Sequence, residues 1–178
     1  MVVIGAGGGL GLQMVMVAKW AKARVIAVDI MEDKLANCRD AGAEEVIATG
    51  DGGTVDRIKE LTNGAGADVV VDFVANTATL EEASNMLGKG GRLAILGGGG
   101  MPNEFPVNGN WIKNGEREIL GSRYATRAEV GRALELVARR EVWPIVTETF
   151  PLEEAETLHH RVEQGLVIGR AAVTMTSK

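Results

Sequence analysis

The residues whose types and spacing point most directly to chemistry lie between Gly5 and Gly11, which read Gly-Ala-Gly-Gly-Gly-Leu-Gly. Gly5, Gly7, Gly8, Gly9 and Gly11 let the backbone turn tightly and come close to a ligand. They satisfy two spacings: Gly5-x-Gly7 opens one fingerprint, and Gly5-x-x-Gly8-x-x-Gly11 is a related one. A glycine turn becomes informative when it joins a strand to a helix. Val2, Val3 and Ile4 form a β-branched run suited to a buried strand. Leu12 to Ala21 is a mostly apolar helical segment whose positive end points back at the turn past Leu10. Strand, turn and helix N-terminus together make a site for a pyrophosphate.

The second strand, Arg24 to Val28, ends at Asp29. This acid sits at about the spacing of a carboxylate that accepts hydrogen bonds from the adenosine ribose hydroxyls. The pattern therefore predicts a dinucleotide site. Asp29 would repel a 2′-phosphate, Glu32 and Asp33 add to the repulsion, and no Arg follows Asp29 directly, so NAD is favoured over NADP. Metal and nucleophile chemistry have little to work with. Cys38 is solitary and falls in a predicted helix. His159 and His160 are adjacent, so on a helix they diverge by about 100° and read as a solvated face. No catalytic residue and no metal ligand is assigned.

The elements that must position this turn follow in order. Met31 to Ala41 reads as a helix stopped by Gly42, Glu45 to Ala48 as a third strand, and Thr54 to Leu61 as a helix entered through Asp51-Gly52-Gly53. Asp68 to Phe73 is a fourth strand, Thr79 to Leu87 a helix closed by Gly88, and Arg92 to Leu96 a fifth strand followed by Gly97 to Gly100. Short alternation of strand and helix implies right-handed crossovers and a parallel sheet covered on both faces. The fold class is α/β, a Rossmann-type doubly wound sheet of order 3-2-1-4-5-6, with the ligand across the C-terminal strand ends. The helix after the glycine turn is apolar nearly all round, which predicts burial. From Met101 the rhythm changes to a loop. Asn110 to Asn114 is one helical turn, Glu118 to Gly121 a sixth strand, and Arg127 to Arg140 an amphipathic helix with Val130, Ala133, Leu134, Val137 and Ala138 on one face. A C-terminal strand-helix-strand segment follows: Ile145 to Phe150, Glu153 to Glu163 and Ile168 to Met175, with Thr176 to Lys178 as a tail. The expected division is a nucleotide-binding domain over 1–144 and a separate segment over 145–178.

A chain of 178 residues can bury a substantial core. Its net charge of -5 argues against nucleic acid or an anionic membrane as partner. One cysteine permits no internal disulfide and fits a reducing compartment, and the chain opens into a core strand without a signal peptide or spanning segment. A cytoplasmic location is the expectation.

Five stretches in this order carry a family resemblance: Val3 to Leu12, Val25-Ile26-Ala27-Val28-Asp29, Gly66 to Asp72, Gly90 to Gly97, and Val167 to Val173. Together they resemble the medium-chain dehydrogenase/reductase superfamily, and most closely its zinc-containing alcohol dehydrogenases. The resemblance spans almost the whole chain and implies hydride transfer between an alcohol or carbonyl and a nicotinamide. It also implies that a GroES-like catalytic domain, which carries the zinc ligands and most of the substrate pocket in that family, is missing here. By the family pattern Lys34 could reach the adenosine ribose, with a solvated helix lysine as the alternative. Phe73-Val74-Ala75 and Leu96-Gly97-Gly98 match strand ends beside the cofactor, and Ile119 and Leu120 would offer backbone groups to the nicotinamide carboxamide. Arg170 matches an arginine that approaches the pyrophosphate, with a structural arginine as the alternative. The family pairs two nucleotide domains through their last strands, which implies a homodimer through 118–121. A zinc-free quinone or enoyl reductase of the superfamily, and a nucleotide-binding module without catalysis, are the competing expectations.

Overall fold

In a computed structural model, residues 1–50, 52–98 and 103–175 are described; the expectations for Asp51, for Gly99 to Pro102 and for the 176–178 tail fall outside them. Strands β1 (Val2–Ile4), β2 (Ile26–Asp29), β3 (Glu45–Ala48), β4 (Ala67–Asp72), β5 (Leu87–Ile95) and β6 (Glu118–Gly121) form one sheet in the order β3-β2-β1-β4-β5-β6. All its pairings are parallel, with Val2 flanked by Ile26 and Val70. The crossover helices are α1 (Gly11–Trp20), α2 (Glu32–Asp40), α3 (Thr54–Leu61), α4 (Thr77–Met86) and α5 (Gly109–Gly115).

Alternation along the strands sends side chains to two separate cores. Val2, Ile4, Ile26, Val28 and Val70 pack with Ile58 of α3 and Leu80 of α4. Val3, Ala27 and Val25 pack with Leu12 and Val15 of α1 and Cys38 of α2. Both faces of the sheet are thus covered, as the unbroken apolar strands require. At roughly 25 cal/mol per Å² of apolar surface removed from water, this two-sided burial is the main force holding the turn at the strand ends.

Three local readings change. α1 is not buried all round: Leu12, Val15 and Ala18 are covered, but Val17 and Trp20 face outward at 36% and 40% exposure. Only one side of α1 meets the sheet, and the other borders a shallow groove beside the helix α6 (Arg127–Ala138). α6 itself buries nothing fully; Val130 and Leu134 of its predicted apolar face are exposed, while Leu136 and Val137 line that groove. The fifth strand begins at Leu87, where the backbone turns extended immediately after α4, so Gly88 lies inside the strand and does not close the helix. A Cβ at Gly88 would overlap the Ala65 carbonyl, and one at Gly91 would come within 2.9 Å of the Ala67 carbonyl. These glycines serve close strand approach across an irregularity between β4 and β5.

The C-terminal residues form a separate two-stranded parallel sheet, β7 (Val146–Pro151) with β8 (Arg170–Thr174), joined by a 3-10 turn (Leu152–Glu154) and α7 (Ala155–Glu163). Gln13 of α1 ties this unit down through two bonds to Ile145. Its Nε2 donates to the Ile145 carbonyl and its Oε1 accepts from the Ile145 N–H, both at 3.0 Å. No helix among the described residues is long and apolar enough to cross a membrane.

Candidate dinucleotide-binding site

The glycine turn starts as the backbone leaves β1. Gly5 adopts φ +72, a conformation that disfavours any side chain. Its carbonyl accepts from the Gly8 N–H at 3.2 Å, and the Gly8 carbonyl accepts from Leu12 at 3.1 Å. A Cβ at Gly11 would overlap the Gly5 carbonyl and come within 2.7 Å of Ala6 Cα, so the first turn of α1 packs backbone to backbone on the strand end. Gly11 therefore serves that packing, and a side chain there would displace the turn before it reached any ligand. Among the described residues the N–H groups of Gly9 and Leu10 donate to nothing. α1 has no side-chain cap and no acid in its first turn. The positive end of the helix stands uncompensated, which is the electrostatic condition for binding an anion.

Asp29 closes β2 at 8% exposure. Its Oδ2 accepts from the Gly7 N–H at 2.8 Å and its Oδ1 from the Met31 N–H at 3.1 Å. The carboxylate is thus fixed by the very turn it accompanies, and the spacing from Gly7 to Asp29 is a direct contact in space. Lys34 is not a solvated helix lysine: it is 7% exposed, and its Nζ donates to the Gly165 carbonyl at 2.6 Å. A Cβ at Gly7 would overlap the Lys34 stem, so Gly7 makes room for a side chain of its own protein.

These parts open on one cleft of about 660 Å³. Gly5, Gly8, Gly9, Leu10, Gly11, Asp29, Lys34, Val74 and Arg170 all line it. Gly7 is not among the lining residues and packs against the Lys34 stem. Ala75 is fully buried at φ +50, and its N–H and that of Val74 donate to Asp72 Oδ1 at 2.8 and 2.9 Å. Leu96 and Gly97 sit at the end of β5, where the Leu96 N–H donates to the Asp72 carbonyl at 3.0 Å and a Cβ at Gly97 would overlap the Phe73 carbonyl. Ile119 packs against the core and Leu120 is exposed, and neither is among the residues that line this cleft.

The structure adds lining residues that the spacing did not single out. Ile30, Thr49, Asn76, Thr79, Glu82, Gln164 and Gly165 also line the cleft. A signal existed for Asn76 and Thr79, which form a reciprocal helix cap: Thr79 N–H to Asn76 Oδ1 at 2.9 Å, and Asn76 N–H to Thr79 Oγ1 at 3.1 Å. A cap of this kind fixes the start of α4 beside the end of β4. For Gln164 and Gly165 there was none, because their place depends on how the C-terminal unit docks.

Arg170 reaches the turn from that unit. A Cβ at Gly9 would lie 3.1 Å from the Gly169 carbonyl and 3.4 Å from Arg170 Nε, so the guanidinium borders the space above Gly9. It forms no ion pair among the described residues. A cation and two free N–H groups converge there, which is the donor set that a pyrophosphate takes.

A catalytic zinc does not fit the donors present. Among the described residues no three of His, Cys, Asp or Glu come together for a metal ion. Cys38 is fully buried, and burial, with Asp29 adding to it, pushes its thiol up to about 11. His160 pairs loosely with Glu156 and Glu163 on the exposed side of α7.

The sequence model of zinc-binding dehydrogenases matches residues 9–139. An NAD-dependent alcohol dehydrogenase of Sulfurisphaera tokodaii is 33% identical over 173 residues, covering 96% of this chain and 49% of the relative. Among solved structures, an NAD-dependent alcohol dehydrogenase superposes with a TM-score of 0.87 at 30% identity, over 98% of this chain and 50% of the other. The alcohol dehydrogenase of Aeropyrum pernix superposes with a TM-score of 0.84 at 32% identity, over 96% and 48%. The chain spans about half the length of the relatives it matches. With that family model matched over most of its length and the same sheet order shared with solved relatives, this chain belongs to the zinc-binding dehydrogenase family.

Proposed function

We propose that this chain is the NAD-binding part of an alcohol dehydrogenase-like oxidoreductase, with residues 1–144 as the nucleotide-binding domain and 145–178 as a unit that also packs on a catalytic domain. The observation that carries the reading is that the Gly9 and Leu10 N–H groups, which donate to nothing among the described residues, border one cleft together with Arg170 and Asp29. In this reading the turn and Arg170 hold the pyrophosphate, and Asp29 accepts from the adenosine ribose. Val74, Ala75, Leu96 and Gly97 frame the route toward the nicotinamide, and the Ile119 and Leu120 backbone receives the carboxamide. Bound there, the dinucleotide supplies hydride transfer to or from an alcohol or carbonyl carbon. The chain's share is to bind and orient it. Substrate positioning and the zinc of relatives would come from outside these residues, so the chain alone binds cofactor without turnover.

The names of the relatives support NAD, and the Asp29 carboxylate gives the physical reason. A homodimer through β6 is part of the same proposal. Among the described residues β6 pairs only with β5, which leaves one backbone edge open. The Ser122 N–H points to Ile95 of β5, so by alternation the Gly121 and Ile119 N–H groups point to the open edge. A cytoplasmic location fits the single buried cysteine. The test is a fluorescence titration of the chain with NADH and NADPH beside a turnover assay with NAD and simple alcohols. Tight NADH binding without turnover is expected; absence of NADH binding refutes the reading.

A further inference from the structure

Two cavities meet at Thr49, Asn76, Thr79 and Glu82. These residues line the dinucleotide cleft, and they also line a second cavity of about 250 Å³ beside it. Gly50, Gly52 and Thr54, on the way from β3 into α3, and Ala78 of α4 complete its described lining. Among the described residues, none of the glycine turn borders this second cavity, and neither do Asp29 and Arg170. It is tied to Asp29 through the backbone: the Thr49 N–H donates to the Asp29 carbonyl at 2.9 Å, and Ala48 of β3 pairs with Asp29 of β2. In a nucleoside diphosphate the ribose stands between the phosphates and the base. A ligand with its phosphates at the glycine turn and its ribose at Asp29 therefore has this adjoining cavity in which to place its base.

The polar atoms at the junction differ in what they have left to offer. Asn76 Oδ1 accepts from the Thr79 N–H and Thr79 Oγ1 accepts from the Asn76 N–H, so both oxygens are engaged in the cap that starts α4. Glu82 lies half-buried one turn further along α4. Its carboxylate forms no hydrogen bond or ion pair among the described residues. An ionised carboxylate can only accept hydrogen bonds. The exocyclic amine of adenine offers it N–H donors, whereas hypoxanthine puts an oxygen in the same place, facing a negative charge.

We propose that Glu82 is a specificity-determining residue of the cofactor site: its carboxylate accepts from the exocyclic amine of adenine and rejects a purine that carries oxygen there. This inference rests on the cofactor reading above. It assigns the choice of base to α4, apart from the choice between NADH and NADPH that Asp29 makes on β2.

ADP and inosine diphosphate (IDP) share ribose and phosphates and differ in the base, so their comparison isolates this contact. Calorimetric titration of the full 178-residue chain is expected to show ADP bound about tenfold more tightly than IDP, the size of one charge-assisted hydrogen bond at a half-exposed place. Glu82→Gln keeps the length and helix propensity of the side chain and gives it a donor. It should weaken ADP, strengthen IDP and bring the two within about twofold of each other. A merely structural loss would weaken both alike. Glu81→Gln removes the same charge one residue away, at an exposed position that lines neither cavity, and should leave the ratio intact. Should Glu82→Gln fail to fold, Glu82→Ala removes the acceptor while favouring the helix, and the same narrowing is expected. Equal or reversed affinities of the unaltered chain for ADP and IDP would overturn the inference while leaving the cofactor reading standing. A ratio untouched by Glu82→Gln, or one that Glu81→Gln also abolishes, would do the same. If the unaltered chain binds neither NADH nor ADP, both fall together.

Discussion

Replacing Asp29 by Asn separates the two duties of that carboxylate. The change keeps the shape and removes the charge. For the cofactor, a carboxylate about 4 Å from one unit of phosphate charge at an effective dielectric of about 20 costs about 4 kcal/mol. The open cleft and its salt screen part of this, leaving about 2–3 kcal/mol. At 1.4 kcal/mol per tenfold, the unaltered chain should prefer NADH over NADPH by about 30- to 140-fold, and Asp29→Asn should remove most of that preference. For the fold, Asp29 accepts from both Gly7 and Met31, at 2.8 and 3.1 Å. An amide has one acceptor oxygen, so one of these N–H groups loses its partner, at a cost of about 1–3 kcal/mol. In a domain of this size each kcal/mol lowers Tm by about 2–4 °C. The assay pairs NADH and NADPH titrations with thermal melts of both proteins. Equal affinity of the unaltered chain for the two cofactors would refute the electrostatic reasoning. Full retention of the preference in Asp29→Asn would place the discrimination elsewhere, and an unchanged Tm would contradict the hydrogen-bond account.

Gly9→Val should weaken NADH by at least about tenfold with only a small change in Tm, because its Cβ meets the Gly169 carbonyl and Arg170 at the edge of the cleft; unaltered affinity in titration would refute it. Gly11→Ala should instead lower the melting temperature sharply, since the Cβ overlaps the rigid Gly5 carbonyl. Alkylation of Cys38 at pH 8 should proceed no faster than global unfolding measured by hydrogen exchange, because the buried thiol, with its pKa raised to about 11, stays protonated well above that pH. Sedimentation at micromolar concentration should show a dimer that Gly121→Pro converts to monomer, as that change removes an outward N–H from the β6 edge where a Cβ meets nothing within 4 Å. A dimer that survives the change would remove β6 from the interface.

The sequence by itself determined the sheet. β-branched runs such as Val69-Val70-Val71, punctuated by glycine and alternating with helices, point to a parallel sheet with right-handed crossovers, and the glycine fingerprint followed by Asp29 points to the order β3-β2-β1-β4-β5-β6. The glycine turn was legible for a related reason: Gly5 is dictated by its own φ of +72 and Gly11 by its contact with the Gly5 carbonyl, both within one strand–turn–helix unit, so local pattern suffices. Local pattern could not determine how much of α1 and α6 is covered, because an apolar stripe states a need for burial and not the partner that meets it. Nor could it show that Gly88 belongs to close strand packing, since that depends on Ala65 lying across from it. The docking of the C-terminal unit was decided by the tertiary structure alone. Lys34 and Gly165 are 131 residues apart in the chain, and Gly169 meets Gly7 across a similar distance. No periodicity encodes such pairs, yet they carry Arg170 to the glycine turn and make one cleft out of two parts of the molecule.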